Sequence, residues 1–243
     1  MKRLLHFSIV ALIAALSVAC AEEEVKRTLP KFETYTYEAT QNNLALSISY
    51  ERIANSEASA AFKLIDSMNY HSTFGDFATE PMNLEASAEL MKEDLELSAT
   101  LFGGSNCEMR IYQVAYFVRN ESVVCFDTCT ETYFGGAHPS TTQNYECYDV
   151  ATGTPYDFSY LAEGDGVDNL QKLIYDDLVR QHGDRIIIAS PNDLHLPNAI
   201  HITDRGLMFH YEPYEVGDYA LGSVNVELSD KQLTDAGVTA LWK

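Results

Sequence analysis

The sequence predicts an α+β fold: a mainly antiparallel sheet with helices packed on it, arranged as two sequential α/β submodules. Three observations predict it. Alternating or β-rich runs come in neighbouring pairs joined by short polar turns. A few longer stretches place apolar residues at helical spacing, so each has one face to bury. Strand and helix do not alternate often enough for a doubly wound parallel sheet, which leaves antiparallel pairing with covering helices.

In chain order, Glu33 to Ala39 and Leu44 to Tyr50 form an expected hairpin across Gln41-Asn42-Asn43. Ser56 to Met68 follows as a helix, because Ala58, Ala61, Phe62, Ile65 and Met68 recur at helical spacing. A second helix starts after Pro81 with Leu84, Ala88, Met91 and Leu95 on its stripe, and Gly103-Gly104-Ser105-Asn106 then breaks the chain. Met109 to Val118 and Ser122 to Phe134 are long β-rich runs. The second half opens with a turn at Asp149-Val150-Ala151-Thr152-Gly153. Val167, Leu170, Leu173, Ile174 and Leu178 mark an amphipathic helix that ends near His182-Gly183. Ile200 to Thr203 and Leu207 to Tyr211 make a hairpin across Asp204-Arg205-Gly206, where the glycine can take positive φ for a tight turn. Val224 to Leu228 is the last strand, and Ser229 caps a short terminal helix.

The amino terminus carries an address. Lys2 and Arg3 precede an apolar run from Leu4 to Ala19, and small Ala19 stands before Cys20. This reads as a secretory signal peptide over residues 1–19 ending in a lipobox, with Ser17 where a large aliphatic residue is usual. The run is shorter than the roughly 20 residues a membrane-spanning helix needs. The expectation is a lipoprotein: lipidation at Cys20, a lipidated tether over residues 20–31, and membrane contact through the N-terminal lipid alone. Ala21-Glu22-Glu23-Glu24 resembles the acidic signal that sends some Gram-negative lipoproteins to the outer face of the outer membrane; a solvated tether is the alternative. The expected location is the cell envelope, as an outer membrane lipoprotein, surface-exposed if the acidic signal operates.

Charge excludes one class of partner. Lys and Arg number 16 against 36 Asp and Glu, a formal net charge of -20 over 243 residues. Such a chain repels nucleic-acid phosphates and anionic membranes, so no nucleic-acid role is expected. Beyond Cys20 there are four cysteines, Cys107, Cys125, Cys129 and Cys147, an even set that in an oxidising compartment suggests two disulfides. Three pairings are open. A hairpin centred near His138 sets Cys129 almost opposite Cys147, which leaves Cys107 with Cys125 in a poorer alignment. Neither a redox Cys-x-x-Cys nor a zinc set fits the spacing, and no metal or cofactor is expected.

Four stretches then carry a resemblance. Tyr133-Phe134-Gly135-Gly136-Ala137-His138-Pro139, Asp149-Val150-Ala151-Thr152-Gly153, Gly206-Leu207-Met208-Phe209-His210-Tyr211 and Pro213-Tyr214-Glu215-Val216-Gly217-Asp218-Tyr219-Ala220-Leu221-Gly222 follow in that order. Their succession resembles the extracytoplasmic, C-terminal domain of RsiV-type anti-sigma factors, a domain of unknown function. From about Phe32 onward the chain resembles the companion N-terminal module found beside that domain in RsiV and in the peptidoglycan deacetylase PdaC. The resemblance implies a PdaC/RsiV-like N-terminal module over residues 32–150 and an RsiV-like C-terminal module over residues 151–243. A lipid anchor is expected in place of a sigma-binding segment and spanning helix, so the implied role is the shared module, which in RsiV recognises lysozyme, and not anti-sigma activity.

Two functions from different classes follow. The first is a binding or sensing module, in which an acidic surface with Tyr133, Gly135, Gly136, His138, Tyr214 and Tyr219 takes a cationic, lysozyme-like protein or an envelope glycan. The second is an envelope polysaccharide or peptidoglycan hydrolase or deacetylase, with His138 near acids such as Asp149. Binding is the expectation over catalysis. The histidines show no i, i+4 zinc spacing, no Gly-x-Ser-x-Gly elbow occurs, and a glycine-rich turn holding His138 is explained by backbone geometry alone.

Overall fold

A computed structural model describes residues 28–101, 106–157, 166–197 and 200–238. The signal sequence, Cys20, Glu22 to Glu24 and the Gly103-Gly104-Ser105 breaker lie outside the described residues. The first sheet begins with the antiparallel hairpin of β1 (Phe32–Gln41) and β2 (Leu44–Ile53), in which Gln41 faces Leu44. So tight a turn demands left-handed backbone, and Asn42 supplies it at φ 52°. Strand β2 alternates strictly: Leu44, Leu46, Ile48 and Tyr50 are buried on one face.

Two helices cover that face. In α1 (Ala60–Phe74) and α2 (Leu84–Leu101), Tyr70, Phe74, Ala88, Met91, Leu95 and Ala99 pack on the β2 stripe. Helix α1 starts later than its apolar spacing predicts because Ser59 is the cap, its hydroxyl accepting Phe62 N–H at 3.0 Å. It also runs past Met68, because buried Asn69 is satisfied: Asn69 donates to Glu51 O at 2.8 Å and accepts from Gln113 Nε2 at 2.9 Å. The helical crossover sets β3 (Cys107–Val118) parallel to β2, and β4 (Val123–Tyr133) and β5 (Ser140–Asp149) continue antiparallel, in the order β1-β2-β3-β4-β5.

The second half comprises α3 (Gly166–His182), β6 (His201–Ile202), β7 (Gly206–Tyr211), β8 (Val224–Ser229) and α4 (Asp230–Asp235), with a three-stranded antiparallel sheet ordered β6-β7-β8. Leu170, Ile174 and Leu178 of α3 share a core with Leu207, Phe209 and Val226. Ser229 and Gln232 form a reciprocal capping box at α4. This half packs on the other face of the first sheet. Val124 and Phe126 of β4 lie against Phe62 and Ile65, while Val123 and Cys125 join the second core. Burial on both faces explains why Val123 to Phe126 is continuously apolar. At the β3–β4 turn, Arg119 reaches across to Asp230 with a two-pronged contact at 2.6 and 2.9 Å.

Two expectations are corrected. The disulfide joins Cys125 to Cys147, while Cys107 and Cys129 are free thiols. The β4–β5 hairpin is centred on Gly136 and not His138, so Cys129 faces Gln143 and Cys125 faces Cys147. Burial pushes the Cys107 thiol up, away from reactivity. Gly206 is not at positive φ. Only glycine fits there because a Cβ would sit 1.8 Å from Leu228 O on the neighbouring strand.

Candidate functional site

The turn between β4 and β5 carries the first motif. Gly135 and Gly136 take φ of 84° and 144°, which folds the chain back so that Tyr133 OH donates to Gly136 O at 3.0 Å. His138 follows, with Nδ1 3.0 Å from Pro139 O. The loop between β7 and β8 carries the second motif. Glu215 N donates to Glu212 O at 3.1 Å across a turn with Pro213 and Tyr214 at its centre, and Tyr214 is held at φ 76°. Further along, Asp218 Oδ1 accepts Leu221 N–H at 2.9 Å and so fixes the single helical turn that presents Tyr219.

These two loops meet. The rings of His138 and Tyr219 stack with centroids 4.6 Å apart and planes 23° apart, and Tyr214 lies 5.6 Å beyond Tyr219. His138 and Pro139 form a ridge between two grooves. One, of about 350 Å³, is lined by Tyr133, Ala137, Glu108, Arg110 and Glu131. The other, of about 520 Å³, is lined by Tyr214, Tyr219, Glu212, Ser140, Thr141 and Thr142. Carboxylates on these walls already have partners. Arg110 stands 3.5 Å from Glu108 and 3.7 Å from Glu131, and Glu212 Oε1 accepts Gln143 N–H at 2.6 Å.

Of the residues singled out from sequence, Tyr133, His138, Tyr214 and Tyr219 line the grooves, and Gly135 and Gly136 shape the turn. Asp149 does not join them. It ends β5 at the far end from His138 and accepts Ala151 N–H and Thr152 N–H at 3.0 and 2.8 Å.

A second cluster has no counterpart in the sequence reading. On the face of the first sheet that meets β6 and β7, Tyr116 OH lies 3.0 Å from each oxygen of Asp127 and contacts His201 Nε2. Tyr145 stacks on His201 at 4.6 Å, and His210 adjoins Tyr145 at 5.6 Å. Burial pushes Asp127 up to about 6 and His201 down to about 4, since each charged form loses water. His201 Nδ1 is buried without a hydrogen-bond partner among the described residues. The sequence held one clue: period two places Asp127 on the inward stripe of Val123 and Cys125. Neither groove is lined by Tyr116, Asp127, Tyr145, His201 or His210. Among the described residues, no three His, Cys, Asp or Glu side chains stand close enough to hold a metal ion, and no helix is long and apolar enough to cross a membrane.

Residues 161–231 match the model of a family described as a protein of unknown function, DUF3298. A DUF3298 family member from Bacteroides fragilis shares the fold with a TM-score of 0.69 at 14% identity, covering 87% of this chain and 94% of its own. A DUF3298 family protein from Pseudomonas aeruginosa does so with a TM-score of 0.62 at 12% identity, covering 89% of this chain and 96% of its own. No curated protein matches the chain. At these identities the likeness speaks to the fold, an α+β arrangement common to all three.

Proposed function

We propose that the chain is an exported, lipid-anchored envelope protein, akin to the RsiV ectodomain, that works as a binding or sensing module through the paired grooves at His138. One observation carries this reading: two loops far apart in sequence are brought together by the stack of His138 on Tyr219, which leaves a concave, aromatic surface on both sides. A net charge of -20 favours encounter with a cationic, lysozyme-like protein; the aromatic and hydroxyl lining favours an envelope glycan.

The hydrolase or deacetylase reading draws less support. His138 has a carbonyl and a tyrosine ring as neighbours, and Asp149 lies at the other end of β5. Carboxylate and imidazole do meet at Asp127 and His201, but away from the grooves. The test is direct. Lysozyme and solubilised envelope glycan are titrated separately against the full-length protein in detergent. Binding of either, weakened by Tyr219→Ala, is the expected result; no binding of either overturns the module.

A further inference from the structure

We infer that the larger groove is built for a neutral pyranose glycan, whose rings lie on the aromatic shelf of Tyr214 and Tyr219 while their hydroxyls meet the polar wall where β5 begins. The inference rests on the recognition role proposed above and narrows it to one ligand class. Four features of the groove lead there.

The first is a backbone placement. Tyr214 occupies the third position of a turn whose second position is Pro213, and its φ of 76° is one that glycine adopts freely and tyrosine does not. Yet the residue is 66% exposed, so burial does not offset that strain. A strained aromatic held outward is the mark of a contact surface. The second is the shelf itself: His138 covers one face of Tyr219, so the open aromatic surface is Tyr214, 66% exposed, with the uncovered part of Tyr219, 47% exposed, beside it, and such surfaces pack the C–H side of a sugar ring. The third is the wall. Ser140, Thr141 and Thr142 open β5 at the sheet edge, are exposed, and make no side-chain hydrogen bond to the described protein; alternation along the strand puts Thr141 on the face of Tyr145, which meets the second half, so its hydroxyl can both donate and accept on that side of the groove. The fourth is charge. Glu212, held by Gln143 N–H, Ser223 and His210, is the one carboxylate among the residues lining this groove, and no Lys or Arg lines it, so most of the lining is uncharged. A groove of about 520 Å³ falls within the usual range for small ligands.

The test uses the full-length protein in detergent, with chitotetraose, cellotetraose and lysozyme as separate probes in calorimetric titrations at low and high salt. The expected result is that an oligosaccharide binds with little salt dependence. Tyr219→Ala should weaken it about tenfold, as should Tyr214→Gly, the latter with an unchanged or raised melting temperature because the turn is relaxed. Binding of lysozyme alone, abolished by salt, overturns the glycan assignment and leaves the recognition module standing. Oligosaccharide binding that both tyrosine variants retain overturns the assignment to this groove. No binding by any probe overturns both.

Discussion

Two histidines stack on tyrosines at the same centroid distance of 4.6 Å, His138 on Tyr219 and His201 on Tyr145, and they do opposite things. His138 sits on an exposed turn whose glycines keep the backbone free to bend outward. His201 sits on a two-residue strand sealed between the two sheets, where loss of water holds it neutral down to about pH 4. One stack ends at the rims of two grooves; the other closes a seam. The same ring contact therefore marks a surface or a joint depending on what surrounds it, and burial decides which.

Breaking the seam should cost far more than breaking the surface. The largest effect is expected from the Cys125→Ala, Cys147→Ala double variant, since the bond closes a loop of 22 residues and its loss should remove about 3 kcal/mol of stability in urea unfolding. Ligand affinity at the grooves should stay as it was. The pH response of the seam comes next. Asp127 binds its proton more tightly folded than unfolded, so its contribution is present below pH 3.8 and is lost as pH rises through about 6. His201 behaves in reverse: its contribution is present above pH 6.5 and is lost as pH falls through about 4. The two slopes oppose each other, so the parent protein should show little change between these limits. Asp127→Asn should uncover a stability that rises with pH across that window, and His201→Phe one that falls, each by about 2 kcal/mol in denaturant titrations. The smallest effect lies on the surface: Tyr214→Gly should change unfolding stability by no more than about 1 kcal/mol, in the stabilising direction, while ligand binding suffers.

Much of this contrast was legible in the sequence, and the reasons are physical. Period two along Leu44 to Tyr50 and helical spacing along Leu170 to Leu178 each report one buried face, a local property that survives folding. Ser229 before Gln232 reads as a cap for the same reason. The disulfide was misread because a shift of the hairpin centre from His138 to Gly136 changes every cross-strand partner, and nothing in the turn residues fixes that centre. Gly206 was misread because its demand comes from Leu228 on another strand, not from its own turn. At the surface, the two aromatic loops stood out as motifs, but their meeting through His138 and Tyr219 depends on how the second half docks on the first. The Asp127, Tyr116 and His201 seam was invisible for that same reason: its members come from β4, β3 and β6, and only the inward register of Asp127 hinted at it.

Recognition at the grooves requires the two loops to form one surface, and a double-mutant cycle between His138→Ala and Tyr219→Ala, read in unfolding free energy, asks that directly. A coupling of about 1 kcal/mol is the predicted result, as stacked rings in contact give. Effects of the two substitutions that simply add would contradict the stack, and with it the groove pair built on either side of His138.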